Sequence, residues 1–480
     1  MITRVAVVGN GMAGFRLVQE LLSISAGFAV TVVGDEPGGA YNRVQLPNVL
    51  AGVAGPASIE LADEDWYAAR GVTLRAGIRA VRIDRQQRLV HLSSGSAVPY
   101  DVLVLATGSS AVLPPAAGLT DGEGRLVPGA VAFRTLADCA QIQALAVRAR
   151  SAVVLGGGVL GLETARALAG PSPVTLIQRG RRLMERQLDA GAARVLARTV
   201  RSLGVTVRAG VCVREVRGGG RVTRVELDDG RVLDADLLVL CCGTRPRAEL
   251  ARSAGLAVGA GIIVDDQLRS VTDPAIFAVG ECAEHRGRTH GLVAPSWEQA
   301  RVAARVIADQ GSSASYAGSP VVIRLKAAGI ELATLGSADA GGGAEVITFT
   351  DPVRGVYQKL VVRDGRLAGA ILLGDTRAAG TITQLFDRGA VLPQDRSSLL
   401  IARRDAPASV ADSPVTLPGR ATICQCNGVT KAAICAAWQE GARGADQIAA
   451  RTRAATGCGT CRDAVEGIVD WLAAADPALV

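Results

Sequence analysis

The stretch that most restricts the fold is Val5-Ala6-Val7-Val8-Gly9-Asn10-Gly11-Met12-Ala13-Gly14. A short apolar run enters Gly-x-Gly-x-x-Gly, and a helical pattern follows through Phe15, Leu17, Val18, Leu21 and Leu22. The glycines have separate tasks: a tight turn, close approach of a pyrophosphate, and helix–strand packing. The helix N-terminus then offers free N–H groups and the positive end of its dipole to phosphates. Alone the motif is weak, because Gly-rich turns recur by chance. Here a second apolar strand, Val30–Val33, and an acidic pair, Asp35-Glu36, follow at about the 20-residue spacing of a ribose-binding acid. The expectation is a dinucleotide-binding unit with Gly9, Gly11 and Gly14 at the phosphates and Asp35 or Glu36 on the ribose.

The unit recurs. Ala152-Val153-Val154-Leu155-Gly156-Gly157-Gly158-Val159-Leu160-Gly161 again runs strand, Gly-x-Gly-x-x-Gly, helix. Gly71-Val72-Thr73-Leu74-Arg75-Ala76-Gly77 returns as Gly204-Val205-Thr206-Val207-Arg208-Ala209-Gly210. Asp101-Val102-Leu103-Val104-Leu105-Ala106-Thr107-Gly108 returns as Asp236-Leu237-Leu238-Val239-Leu240-Cys241-Cys242-Gly243. Each copy runs fingerprint, second strand, antiparallel strands, then an apolar strand ending in Gly. A repeat this long predicts two homologous Rossmann-like domains in an α/β chain. The alternative, one copy that binds nothing, is opposed by both phosphate loops being intact.

The second copy has no acid after its second strand. Val174-Thr175-Leu176-Ile177 leads into Gln178-Arg179-Gly180-Arg181-Arg182. An acid there would bond the ribose 2′-OH of NAD, whereas arginine suits a 2′-phosphate. The sequence leans toward tolerating NADPH through Gln178 and Arg179; plain surface arginines are the alternative.

Composition bounds the rest. At 480 residues the length suggests about three domains. No run reaches the ~18 apolar residues of a membrane span. The chain opens straight into its first strand, leaving no room for a signal peptide, so a soluble cytoplasmic protein is expected. Ten cysteines in that compartment favour metal, redox or core roles over disulfides. The net charge of +7 is carried mainly by arginine, with Lys326, Lys359 and Lys431 the only lysines. The basic residues are scattered and aromatics make up only 3%, which argues against nucleic-acid binding.

Beyond the repeat, Val321–Leu325, Glu345–Phe349, Tyr357–Val362 and Leu367–Leu373 read as strands, and a helical stretch lies near Thr381–Phe386. Residues 396–419, rich in Ser, Pro, Arg and Asp, read as a linker. Then come Cys424-Gln425-Cys426 and Cys458-Gly459-Thr460-Cys461, separated by a helical pattern through Val429, Ile434, Trp438 and Ile448. Four thiolates on two loops, each beside a helix N-terminus, can enclose an iron–sulfur cluster or Zn²⁺. Cys-x-Cys is atypical for zinc; buried, unliganded cysteines are the third reading. Cys435 falls mid-helix and reads as core.

The paired fingerprints resemble the two-dinucleotide-binding flavoprotein reductases, the pyridine nucleotide–disulfide oxidoreductase superfamily. The resemblance implies FAD on the first copy and NAD(P)H on the second. It places Arg43 near the FAD pyrophosphate and Ala106-Thr107-Gly108 beside the flavin; Gly243, the counterpart of Gly108 in the second copy, is a further expected cofactor contact. In Ile276-Phe277-Ala278-Val279-Gly280-Glu281 it places Gly280 and Glu281 at the ribityl chain, where the family usually has Gly-Asp. A helix near Pro295-Ser296-Trp297 would aim its N-terminus at the flavin ring. Glu163 matches a family glutamate near the nicotinamide; an exposed helical glutamate is the alternative. The redox Cys pairs of disulfide-reducing members are missing. Cys241-Cys242 reads as packed core on a strand ending in Gly243, and Cys139, Cys212 and Cys282 as small buried apolar residues. The histidines His91, His285 and His290 show no ligand or triad spacing.

The terminal cysteine run resembles the [2Fe–2S] domain of bacterioferritin-associated ferredoxin, which implies Cys424, Cys426, Cys458 and Cys461 as ligands. The expected organisation is an FAD domain (1–115 and 241–315), an NAD(P)H domain (116–240), an α+β interface domain (316–395), the linker, and a small helical [2Fe–2S] domain (420–480). NAD(P)H gives two electrons at once and such a cluster takes one, so the flavin is expected between them. The whole arrangement resembles assimilatory nitrate reductase electron-transfer subunits and the N-terminal part of NAD(P)H nitrite reductase large subunits. Because the sequence ends at Val480 without further cysteines, a separate catalytic subunit is expected to take the electrons, a molybdenum nitrate reductase first. The alternatives are a sirohaem nitrite reductase, a ferredoxin or rubredoxin, or, from another class, an iron–sulfur redox-sensing or iron-handling module. Homo- or hetero-oligomers are both compatible with the sequence.

Overall fold

The computed structural model describes residues 2–25, 27–170, 172–309, 311–339, 341–401, 417–424, 427–456 and 461–475. The chain divides into two compact units.

The first unit comprises Met1–Arg43, Ala54–Val112 and Gly243–Ser319. Its parallel sheet runs, in spatial order, Ile276–Ala278, Val102–Leu105, Thr3–Val8, Phe28–Val33 and Thr73–Arg75. The Val-rich runs suit strands covered on both faces. Helix Met12–Ile24 buries Phe15, Leu17, Val18 and Leu21 and packs along helix Val293–Ala308. That second helix starts two residues before the expected Pro295, which occupies its first turn, where a missing N–H costs nothing. A three-stranded antiparallel sheet, Ala80–Asp84, Leu89–Leu92 and Ala97–Pro99, inserts between the parallel strands in sequence. Strand order reverses beside Thr3–Val8, and the crevice at the carboxyl end of such a switch point is where α/β sheets bind ligands.

The second unit comprises Val44–Val53, Leu113–Cys242 and Pro320–Val480. It repeats the parallel plan with Ala130–Ala132, Leu237–Leu240, Ala152–Leu155, Val174–Gln178 and Val205–Ala209. The inserted antiparallel sheet also returns, as Val213–Arg217, Arg224–Leu227 and Val232–Asp234. The short helix Leu46–Leu50 belongs here: it packs on helices Leu136–Ala146 and Val159–Leu168, and Gln143 Nε2 donates to Val49 O at 2.8 Å.

Farther along, five antiparallel strands form one sheet in the order Val322–Ala327, Ile330–Gly336, Arg366–Leu373, Val356–Arg363, Glu345–Asp351. Helix Ala379–Arg388 covers one face. Strand Ile330–Gly336 has no counterpart in the sequence reading. Its residues Leu332 to Leu335 are all buried, so it lacks the alternation that marks a half-exposed strand. The terminal domain is a hairpin, Thr422–Cys424 with Val429–Thr430, and helices Lys431–Gln439, Ala445–Thr452 and Arg462–Ala475. Thr430 Oγ1 accepts from Ala433 N to cap the first helix, and Ile434, Trp438, Ile448, Val465 and Ile468 form the core. No described helix is long and apolar enough to cross a membrane.

Candidate functional site

The two phosphate loops are built alike, and their glycines divide by task. Gly9 has φ +114°, and a Cβ there would meet Ala106 O at 2.1 Å; a Cβ on Gly14 would meet Gly9 O at 2.0 Å. In the second copy Gly156 has φ +113° with Cys241 O at 2.2 Å, and Gly161 would meet Gly156 O at 1.7 Å. These four glycines are demanded by the fold itself. The middle glycines differ. A Cβ on Gly11 would meet nothing nearer than Arg43 Nε at 3.9 Å, and one on Gly158 would meet nothing within 4 Å. Both are helix N-caps without a side-chain cap, so the first N–H groups of each helix face open space, as an anion site requires.

Around the first loop lies a cleft of about 500 Å³ lined by Val8, Gly9, Asp35, Val81, Thr107 and Arg247, among others. Asp35, not Glu36, faces it. Asp35 Oδ2 accepts from Arg247 Nη1 at 3.1 Å. Glu36 turns to Tyr41, whose hydroxyl donates to it at 2.6 Å, and to Arg43. Arg43 stacks 4.9 Å from the Tyr41 ring centroid. Ala106 N–H bonds to Val8 O, and the Thr107 hydroxyl donates to Arg247 O at 2.6 Å. Gly108 and Gly243, equivalent in the repeat, open two short strands, Ser109–Ala111 and Thr244–Pro246, that pair with each other. Glu281 accepts from the Ser109 hydroxyl at 2.5 Å, and Gly280 N–H bonds Gln299 Oε1 at 2.8 Å.

At the second loop, Gln178 Oε1 accepts from Gly157 N at 2.8 Å, so this side chain closes onto the phosphate loop. Arg179 is exposed. Glu163 is half-buried on the helix after the loop, and burial pushes its carboxyl up to about 8. Cys241 and Cys242 lie past the end of strand Leu237–Leu240 rather than on it, because the chain there crosses over Gly156. Burial holds their thiols at about 12 and about 11, far from a reactive thiolate. Cys139 and Cys282 are fully buried; Cys212 is half-buried.

In the terminal domain, Cys424 ends the first hairpin strand and Cys461 immediately precedes helix Arg462–Ala475, its carbonyl accepting from Val465 N at 2.9 Å. Both are buried in one apolar cluster, with Cys435 packed against it. Cys426 and Cys458 lie outside the described residues.

The pyridine nucleotide-disulphide oxidoreductase signature matches residues 3–306. The chain belongs to this family. The rubredoxin NAD⁺ reductase C-terminal domain matches residues 321–390, and the BFD-like [2Fe–2S] binding domain residues 422–471. These modules make the oxidoreductase NAD(P)H-dependent, with FAD and a [2Fe–2S] cluster as its further cofactors. It is 36% identical to the assimilatory nitrate reductase electron transfer subunit of Bacillus subtilis, over 98% of this chain and 60% of that protein. It is 35% identical to the nitrite reductase [NAD(P)H] of the same organism, over 98% of this chain and 58% of that one. The chain thus spans about three-fifths of the length of these relatives. The solved putidaredoxin reductase–putidaredoxin complex superposes with a TM-score of 0.72 at 27% identity, covering 80% of this chain and 93% of that one.

The residues present fit a dinucleotide at each loop: an open middle glycine, an uncapped helix and, in the first copy, a cleft walled by a carboxylate.

Proposed function

We propose that this oxidoreductase draws electrons from NAD(P)H in the cytoplasm and delivers them to a separate catalytic subunit, an assimilatory nitrate reductase. One observation carries this reading: both loops keep an open middle glycine at an uncapped helix start, in a chain that also carries the [2Fe–2S] domain. The match to a nitrate reductase electron transfer subunit along nearly all of this chain supports the choice of acceptor. When bound, FAD takes two electrons as hydride and gives them up singly, joining a two-electron donor to a one-electron cluster.

The chain's own residues do the holding. Gly9, Gly11 and Gly14 form the FAD pyrophosphate seat at the helix N-terminus, with Arg43 as the nearby cation. Asp35 takes the adenosine ribose, and Glu36 holds Arg43 in place. Ala106, Thr107, Gly108, Gly243, Gly280 and Glu281 line the remainder of the flavin site. Gly156, Gly158 and Gly161 seat the NAD(P)H pyrophosphate, Gln178 and Arg179 border its ribose, and Glu163 stands by the nicotinamide. Cys424, Cys426, Cys458 and Cys461 ligate the cluster.

The native complex, purified through this chain, is assayed for molybdenum, sirohaem and NAD(P)H-driven turnover. Molybdenum with nitrate reduction is the expected result. Sirohaem with nitrite reduction moves the acceptor to the second relative's chemistry. Neither metal centre, in an FAD- and iron-replete preparation, overturns both and leaves a reductase for a small electron carrier.

A further inference from the structure

The end of strand Val174–Gln178 carries no acid, yet the fold returns one to it from farther along the chain. Gln178 is a poor substitute for the missing acid, because its neutral Oε1 already accepts from Gly157 N–H at 2.8 Å and its Nε2 can only donate. The chain then doubles back. Met184 N donates to Gly157 O at 2.9 Å, and a Cβ on Gly157 would meet Leu183 Cδ2 at 2.7 Å. Met184 itself is left-handed, with φ 47°, a conformation that a non-glycine residue holds only when its surroundings fix it. Its side chain is 2% exposed, and its carbonyl accepts from both Gln187 N and Leu188 N at 2.9 Å.

This bend places Glu185 against Gly180. A Cβ on Gly180 would lie 2.0 Å from Glu185 Oε2 and 2.8 Å from Gln178 Nε2. A carboxylate acceptor and an amide donor therefore share one small region just past the phosphate loop. Among the described residues Glu185 makes no hydrogen bond, and its one ion pair, with Arg182, is at 4.0 Å and about 40% exposed on both sides, a contact worth little.

We infer that Glu185 is the ribose-binding acid of the second nucleotide site and selects NADH over NADPH. The inference rests on the reading of that loop as the NAD(P)H site. A vicinal diol suits an acceptor beside a donor; a dianionic 2′-phosphate beside the Glu185 carboxylate meets like charge. The neighbouring arginines soften that repulsion without removing it, and Arg182 already faces Glu185.

The test is calorimetric binding of ADP-ribose and of 2′-phospho-ADP-ribose to the FAD-loaded chain, with no turnover involved. ADP-ribose is expected to bind at least 10-fold tighter. Glu185→Gln should narrow that ratio at least 5-fold, while Arg186→Gln, which removes a positive charge from the next residue along, does not narrow it. Equal or tighter binding of the 2′-phosphate by the unmodified chain, or a ratio that ignores Glu185→Gln, overturns the inference while leaving the nucleotide site standing. Binding of neither probe overturns the nucleotide site and the inference together.

Discussion

The Asp35 carboxylate and the Arg247 guanidinium meet at 3.1 Å on the wall of the first cleft. Both side chains are about 40% exposed, so the pair contributes well under 1 kcal/mol to folding. The carboxylate is thus free to exchange Arg247 for ribose hydroxyls at small cost. Asp35→Asn should leave the melting temperature of the apoprotein almost unchanged. It should weaken FAD binding about 10- to 100-fold, the loss of one charge-assisted hydrogen bond. Flavin fluorescence quenching during titration of the apoprotein measures this. Unaltered affinity would move the ribose contact away from Asp35.

The paired loops give a sharper contrast. Gly9→Ala forces a left-handed alanine against Ala106 O at 2.1 Å, and backbone cannot yield there. The expected cost is about 4 kcal/mol or more, enough to prevent folding. Gly11→Ala meets nothing within 3.9 Å, and its φ of −84° is ordinary for alanine. That variant should fold, yet lose FAD affinity at least 10-fold because its methyl occupies the phosphate's approach. Soluble yield, thermal melting and flavin content together decide it. A Gly11→Ala protein that keeps full flavin would show that phosphate does not approach there.

How much of this was legible beforehand depends on the range of the interaction. The two fingerprints and the inserted antiparallel strands are local patterns fixed by backbone sterics, and they read directly from residue spacing. That Asp35 rather than Glu36 lines the first cleft did not, because it turns on Tyr41 and Arg43 drawing Glu36 away. Strand Ile330–Gly336 escaped because its run of buried residues erases the alternation. Glu185 was invisible for a deeper reason: its place depends on a left-handed Met184, which no propensity announces. The helix Leu46–Leu50 joins the second unit through contacts about 90 residues away in sequence, beyond the reach of any periodicity.

Lys359 supplies a test of how the antiparallel sheet is fastened. Its Nζ donates to Asp189 Oδ2 at 3.0 Å and to Ala338 O at 2.9 Å, and Tyr357 OH donates to the same Asp189 oxygen at 2.8 Å. Asp189 also caps helix Ala190–Ser202 through Ala192 N. Lys359→Met should cost about 1–3 kcal/mol, since the partly buried carboxylate keeps only the tyrosine and the cap. Asp189→Ala should cost more, adding the lost cap of about 1 kcal/mol. Denaturant midpoints of both single variants and the double variant measure the coupling. Strict additivity would mean the contact is not energetically real.

The described cysteines of the terminal domain separate by position. Cys424 and Cys461 are buried at a strand end and a helix start, whereas Cys435 sits inside helix Lys431–Gln439. Cys424→Ser or Cys461→Ser should abolish the visible absorption of the cluster and lower bound iron to near zero, with flavin content unchanged. Cys435→Ser should keep iron at the unmodified level. Iron analysis and the absorption spectrum suffice, and retention of the cluster by either of the first two variants would remove that residue from the ligand set.

Glu163 links the second loop to pH. Burial raises its carboxyl in the folded chain to about 8, from an ordinary value of 4.5. The folded state therefore holds a proton between pH 4.5 and 8 that the unfolded chain has released. Stability from this group is fully present below pH 4.5 and is lost progressively as pH rises toward 8. The group is half-buried, which limits the swing to about 2–4 kcal/mol. Glu163→Gln keeps the shape and removes the titration. The variant should match the unmodified chain near pH 5 and exceed it by that amount above pH 8. Urea denaturation across this range checks the sign: a difference that stays flat with pH would show that Glu163 titrates as an ordinary exposed carboxylate, and a reversed one that the fold lowers its pKa.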